Sequence, residues 1–154
     1  MRTDFETLRE LAHFTLNFLT EEKCVEYHID NRLDIVERLA TEYGVSLATD
    51  EDIKDQAIEE VEEKLGAENL PEDATETEMY NHARKEIIKS FNGETISGLY
   101  LVESLHKTSQ RVKNFLLECD LIEDVFGTDE EIQDLLVRKV RQFSSKRVIP
   151  TQQL

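Results

Sequence analysis

Apolar residues return at every third or fourth position through six successive stretches of this chain, the spacing that places them on one face of an α-helix. Residues that would interrupt such a pattern are scarce, since 154 residues include five Gly and two Pro. A sandwich or a barrel needs turn signals roughly every 8–12 residues, so that class is not expected. The expectation is an all-α fold, with about six amphipathic helices in a compact bundle. Hydrophobic residues make up 39% of the chain and charged ones 34%. That is enough apolar material for a core, and a chain of this length buries roughly two thirds of its unfolded surface.

Capping chemistry sets the expected boundaries. Thr3, with Glu6 three residues on, reads as a capping box opening a first helix through Phe5, Leu8, Leu11, Ala12, Leu16 and Leu19. A second helix is expected after Asp30, carrying Leu33, Ile35, Val36, Leu39, Ala40 and Tyr43, with Gly44 as its stop. Thr49 and Asp52 repeat the capping spacing ahead of Ile53, Ala57, Ile58, Val61 and Leu65, which gives a third helix ending at Gly66. Ala67 to Thr75, with Pro71, reads as a polar loop. Met79, Tyr80, Ala83, Ile87 and Phe91 form the buried side of a fourth helix closed by Gly93. From about Ile96, the series Leu99, Val102, Leu105, Val112, Phe115 and Leu116 predicts a long fifth helix, weakly anchored at Thr108 and Ser109. Thr128 and Glu131 cap a sixth helix, with Ile132, Leu135, Leu136, Val140 and Phe143 on its face, and Ser144 to Leu154 is a tail.

Asn17-Phe18-Leu19-Thr20-Glu21 recurs as Asn114-Phe115-Leu116-Leu117-Glu118, and a Cys and then Val25-Glu26 or Ile122-Glu123 follow. The echo reads either as a partial duplication or as the likeness that amphipathic helices share by pattern. The runs LRELAHFTLNFLTEEKCVEY, DEDIKDQAIEEVEE and EMYNHARKEIIKSFNGETISGLYL, in that order over Leu8 to Leu101, resemble one copy of the bacterial family catalogued as domain of unknown function 507. In that family an N-terminal helix ends in an acidic (V/I)E turn, a charged helix sits mid-chain, and the domain closes with a Lys-bearing helix and a short apolar terminus. Here that terminus is Ile96 to Leu101, and Val102 to Phe143 looks like the opening of a second copy. The resemblance implies a helical fold and a bacterial origin, and assigns no activity to any residue. Residues 1–101 are thus expected to form a helical domain resembling one family copy, 102–143 a helical segment echoing the first helix pair, and 144–154 a basic tail.

Eighteen Lys and Arg against 34 Asp and Glu give a formal charge of −16. Thirteen acids and two bases lie between Asp50 and Glu78, a local net of −11 that helix and loop must display to solvent. Such a field is either a solvated face or an acidic docking surface that steers a basic partner. From Ile132 onward the sign reverses: Arg138, Lys139, Arg141, Lys146 and Arg147 face Asp134 alone. Cations in a last helical turn complement the macrodipole and need no other role. Lys146 and Arg147 lie beyond the helix, where they could meet an anionic partner. Two cysteines, Cys24 and Cys119, supply no disulfide framework, and charges interrupt the first residues where a secretion signal would be apolar. A cytoplasmic protein without a membrane span is expected.

No chemistry is legible. Glu10 with His13 and Glu103 with His106 have the Glu-x-x-His spacing of di-iron carboxylate bundles, but they fall on the first and fifth predicted helices instead of the second and fourth. They are candidate metal ligands against a plain surface reading. Cys24 and Cys119 could pair with His28 or His106 as nucleophiles, but neither lies in a catalytic signature. Gly93-x-x-x-x-Gly98 lacks the Lys and Ser/Thr of a phosphate loop. No catalytic residue and no cofactor is expected. The reading is a non-enzymatic acidic interaction protein, docking to a protein or ribonucleoprotein partner through charged faces and the basic tail. A metal-binding carboxylate and histidine protein or enzyme is the alternative. Nucleic acid is disfavoured except through the tail, and a homo-oligomer is left open.

Overall fold

The computed structural model describes residues 3–65, 75–91 and 95–143. Within them six helices form: α1 (Phe5–Glu21), α2 (Arg32–Ser46), α3 (Asp50–Leu65), α4 (Glu76–Lys89), α5 (Leu105–Glu118) and α6 (Asp129–Arg141). Five short strands join them: β1 (Val25–Tyr27), β2 (Leu47–Ala48), β3 (Thr95–Ile96), β4 (Leu99–Leu101) and β5 (Ile122–Val125). The molecule is therefore mainly helical, and all-α is too strong a description. β1 pairs with β5 in an antiparallel ribbon, with Val25 opposite Val125 and Glu26 opposite Asp124. β2, β4 and β3, in that order, make a second antiparallel sheet.

One core collects the buried faces of α1, α2, α5 and α6 together with Val25, Leu47, Ile96, Leu99, Leu101 and Ile122. It thus draws on both sides of residue 101. A smaller core of Ala48, Ile53, Ala57, Val61, Ala83 and Ile87 joins α3 to α4. The two cores meet around Asp50. Thr3 donates its backbone N–H to Asp50 Oδ2 at 3.0 Å, while Asp50 N–H donates to Thr3 Oγ1 at 2.7 Å. Tyr100 on β4 donates its hydroxyl to Asp50 Oδ1 at 3.3 Å.

The helix–strand–helix order occurs twice at a constant offset of 97 residues. α1 and α5 end at Glu21 and Glu118, β1 and β5 begin at Val25 and Ile122, and α2 and α6 begin at Arg32 and Asp129. The buried positions repeat in the same register. Leu8, Leu11, Ala12, Thr15, Leu16 and Leu19 on α1 correspond to Leu105, Thr108, Ser109, Val112, Lys113 and Leu116 on α5. On the second helices Ile35, Leu39 and Tyr43 correspond to Ile132, Leu136 and Val140, and buried Ser46 at the end of α2 corresponds to buried Phe143. Thr108 and Ser109, expected to anchor α5 weakly, are thereby core residues, each 1% exposed.

Several boundaries differ from the sequence expectation for local reasons. The cap of α1 is Asp4, which accepts from Thr7 N–H, because Thr3 is engaged with Asp50. Gly44 does not stop α2. It lies within the helix, which ends two residues later where Leu47 turns extended and pairs with Leu101. The expected start of the fifth helix at Ile96 is a hairpin instead. Ser97 and Gly98 both have positive φ, +50° and +86°, which is the backbone of a two-residue turn matched to the twist of its strands. α5 begins only at Leu105, capped by Ser104. The caps by Thr49 with Asp52 and by Thr128 with Glu131 are both present as reciprocal side-chain to backbone bonds. Gly66, Gly93, the 67–74 loop and the tail, with Lys146 and Arg147, lie outside the described residues.

Gly98 offers a direct test of the junction. A Cβ there would sit 2.9 Å from Thr3 Cγ2, on a backbone that L side chains rarely adopt. Gly98→Ala is expected to cost on the order of 1–2 kcal/mol in urea unfolding. Thr3→Ser keeps the hydroxyl on Asp50 N–H and removes the methyl. In the double variant the steric part of the Gly98→Ala loss should be recovered, so a cycle with no coupling would contradict the contact.

Candidate functional site

The two units meet along two seams, α1 against α6 and α2 against α5, which the 97-residue offset relates to each other. Their chemistry is opposite. On the α1–α6 side, Phe14 packs its ring 5.4 Å from Phe143 and 5.5 Å from Phe18, closing the seam with aromatic carbon. The corresponding positions on the α2–α5 side are Arg111 for Phe14 and Ser46 for Phe143. Here the contact is a hydrogen bond, Arg111 Nε to Ser46 Oγ at 3.0 Å. Glu103 completes a triad, accepting from Ser46 Oγ at 2.5 Å and from Arg111 Nε at 3.1 Å. Ser46 is fully buried, with both roles of its hydroxyl used.

Because these side chains do not fill the seam, a cleft of about 640 Å³ opens along it. α2 contributes Arg38 and Glu42; α5 and its flanks contribute Glu103, Lys107, Gln110, Arg111, Asn114, Glu118 and Asp120, with Phe115 and Cys119 between. An ion pair from Arg38 Nη1 to Asp120 Oδ1 at 2.8 Å closes the far end. The Ser46 hydrogen bond holds the Glu103 carboxyl below the usual range, against the opposing effect of burial, and Arg111 adds to this. Arg38 lowers Asp120 in the same direction, first by its hydrogen bond and then by its charge. Lys107, Glu42 and Glu118 make no side-chain hydrogen bond or ion pair among the described residues.

The residues singled out in the sequence fall elsewhere or act differently. Glu103 precedes Ser104, the cap of α5, so Glu103 and His106 do not share a helical face; Glu103 serves Arg111, and the His106 ring meets the Gln133 amide at 2.9 Å. Glu10 and His13 lie on α1, where burial and then the charge of Arg32 hold His13 below its ordinary value. No three His, Cys, Asp or Glu side chains gather to hold a metal ion among the described residues. Both cysteines are unpaired, and burial, followed by Glu22 and Glu131, pushes the Cys24 thiol up, away from nucleophilic character. Arg138 and Arg141 border a second groove of about 600 Å³ with Leu101, Leu105, Val137 and His106, and Lys139 lies half-buried on the same helix.

Comparison with protein-family models, with curated proteins and with solved structures gave no match to this chain.

Glu103 makes the seam sensitive to acid. Its carboxyl lies below the unfolded value of 4.5 in the fold, so its contribution to stability is present above that pH and is lost as the pH falls through the lower folded value. Glu103→Gln should flatten the stability curve over that acid interval while removing stability at neutral pH. Urea midpoints measured from neutrality to about pH 3 check this, and parallel acid limbs for the two proteins would refute it.

Proposed function

We propose that this protein is a non-enzymatic docking module that engages a protein or ribonucleoprotein partner through its charged surfaces. The observation that carries the reading is the outer face of α3. That helix carries eight acids and two lysines, and only Ile53, Ala57 and Val61 are buried. Asp50 is used at the junction with Thr3 and Asp52 in its own cap. Glu51, Asp55, Glu59, Glu60, Glu62 and Glu63 make no ion pair among the described residues. Carboxylates displayed without counter-charges repel one another, and a basic surface relieves that repulsion on contact.

Arg138, Lys139 and Arg141 in the last turn of α6, continued by Lys146 and Arg147 in the sequence, give the same molecule a cationic element for an anionic surface. The cytoplasm is part of the proposal, as are a bacterial source and membership of the family with domain of unknown function 507. Two unpaired thiols suit a reducing compartment, and among the described residues no helix is long and apolar enough to cross a membrane.

The test is affinity capture from native lysate at about 50 and about 500 mM salt, since exposed charge pairs are screened at the higher value. Wild type should retain one dominant partner at low salt and release it at high salt. A Glu59→Gln, Glu62→Gln, Glu63→Gln triple variant should lose it if α3 is the docking face, and a chain ending at Phe143 should lose it if the basic tail is. Nuclease sensitivity would identify a ribonucleoprotein. Equal retention by all three proteins, or no specific retention by wild type, would overturn the proposal.

A further inference from the structure

We infer that the α2–α5 cleft is a receptor for an extended peptide segment carrying one acidic and one basic side chain. The inference goes beyond the α3 docking face and stands on a different surface. Its first support is the contrast between the seams. The α1–α6 seam is closed by Phe14 against Phe143, whereas the related positions hold Arg111 and Ser46 and leave an open cleft of about 640 Å³. That volume lies within the range of roughly 300–1,000 Å³ for ligand sites, and its lining is polar, which suits a charged ligand better than an apolar one.

The second support is the fixed geometry of Arg111. Its Nε edge is taken by Ser46 and Glu103, so the guanidinium plane is held before any ligand arrives. Its two terminal nitrogens make no hydrogen bond among the described residues, and they form the end-on fork that receives a carboxylate. Lys107 lies one helical turn away on the same side of the cleft. This end of the cleft presents the Arg111 fork and the Lys107 ammonium beside a Glu103 carboxylate that Ser46 and Arg111 already occupy.

The other end presents acceptors. Arg38 is already occupied by Asp120, which leaves Glu118 at this end without a cation, while Glu42 stands midway along α2 between Arg38 and Ser46. The two ends therefore ask for opposite charges, the acid of the ligand at Lys107 and Arg111, its base at Glu118. Along α5, Arg111 and Lys107 stand about 10 and 16 Å from Glu118 at 1.5 Å per residue. An extended chain covers such a span in about three to five residues. Acid and base are thus expected about four positions apart.

A fluorescein-labelled heptapeptide, Gly-Glu-Ser-Ser-Ser-Arg-Gly, is the probe, with analogues in which Gln replaces either Glu or Arg. Anisotropy titration of the full chain should show the mixed-charge peptide binding at least tenfold more tightly than either analogue. In amide correlation spectra its shifts should map to α2 and α5. Lys107→Glu and Glu118→Lys, both at exposed positions, should each weaken it at least fivefold while the remaining spectrum reports an unchanged fold. The α3 triple variant should bind it as wild type does, so the cleft and the acidic face can fail separately. Equal affinities for the three peptides, shifts that map to α3, indifference to both cleft variants, or no saturation at millimolar peptide would each overturn the inference.

Discussion

The pairing of β1 with β5 is the constraint from which the rest of the molecule follows. Two strands of three and four residues would be marginal alone. They hold because Val25 and Ile122 point into the main core and because Phe126 N–H extends the ladder to the Cys24 carbonyl at 2.7 Å. Each strand sits between two helices of its own unit. Pairing them antiparallel turns one unit over against the other, so α1 faces α6 and α2 faces α5. The order of elements and one short ribbon thus determine which helices share a seam.

Much of the helical framework was legible because it rests on local signals. The caps at Thr49 and Thr128 and the buried face of α6 follow from spacing, the period on which helix packing depends, whereas Ile58 and Leu65 share that period on α3 and are exposed. What escaped depended on distant partners. Thr3 has the spacing of a capping box, yet its hydroxyl serves α3, 47 positions away in sequence. Leu99, Val102 and Leu105 fit a helical period while Leu99 and Leu101 fit a strand, and only the pairing of Leu101 with Leu47 decides between them. Gly44 looks like a stop, but a glycine tolerated on an exposed helix position carries no information about the end.

The cleft rests on a different kind of signal. The sequence echo between Asn17-Phe18-Leu19 and Asn114-Phe115-Leu116 has an offset of 97 residues. Extended at 97 residues, it aligns Phe14 with Arg111 and Phe143 with Ser46, placing polar residues where the other unit is aromatic. That signal lies in a comparison of the chain with itself. The individual residues gave none, since Arg111 resembles any surface arginine and Ser46 any residue near a helix end. Burying Ser46 with a carboxylate and a guanidinium is costly unless every group is matched, and here the hydroxyl and the Nε are both matched. The aromatic seam opposite supplies close packing without polar obligations, so the fold as a whole tolerates an open polar seam.

The separate small core of α3 and α4 has a mechanical consequence. Its buried cluster is small, with Ala48 of β2 packed among Ile53, Ala57, Val61, Ala83 and Ile87, and its described polar links to the remainder are those of Asp50 with Thr3 and Tyr100 and the Glu51 N–H donated to the Thr3 carbonyl at 3.3 Å. Cooperative opening follows the boundaries between cores, so this hairpin is the part expected to loosen first on heating. The most acidic part of the molecule is therefore carried on an appendage held by the smaller of the two cores. Force or heat applied to that appendage need not reach the α2–α5 cleft, since the cleft is built from helices of the other core.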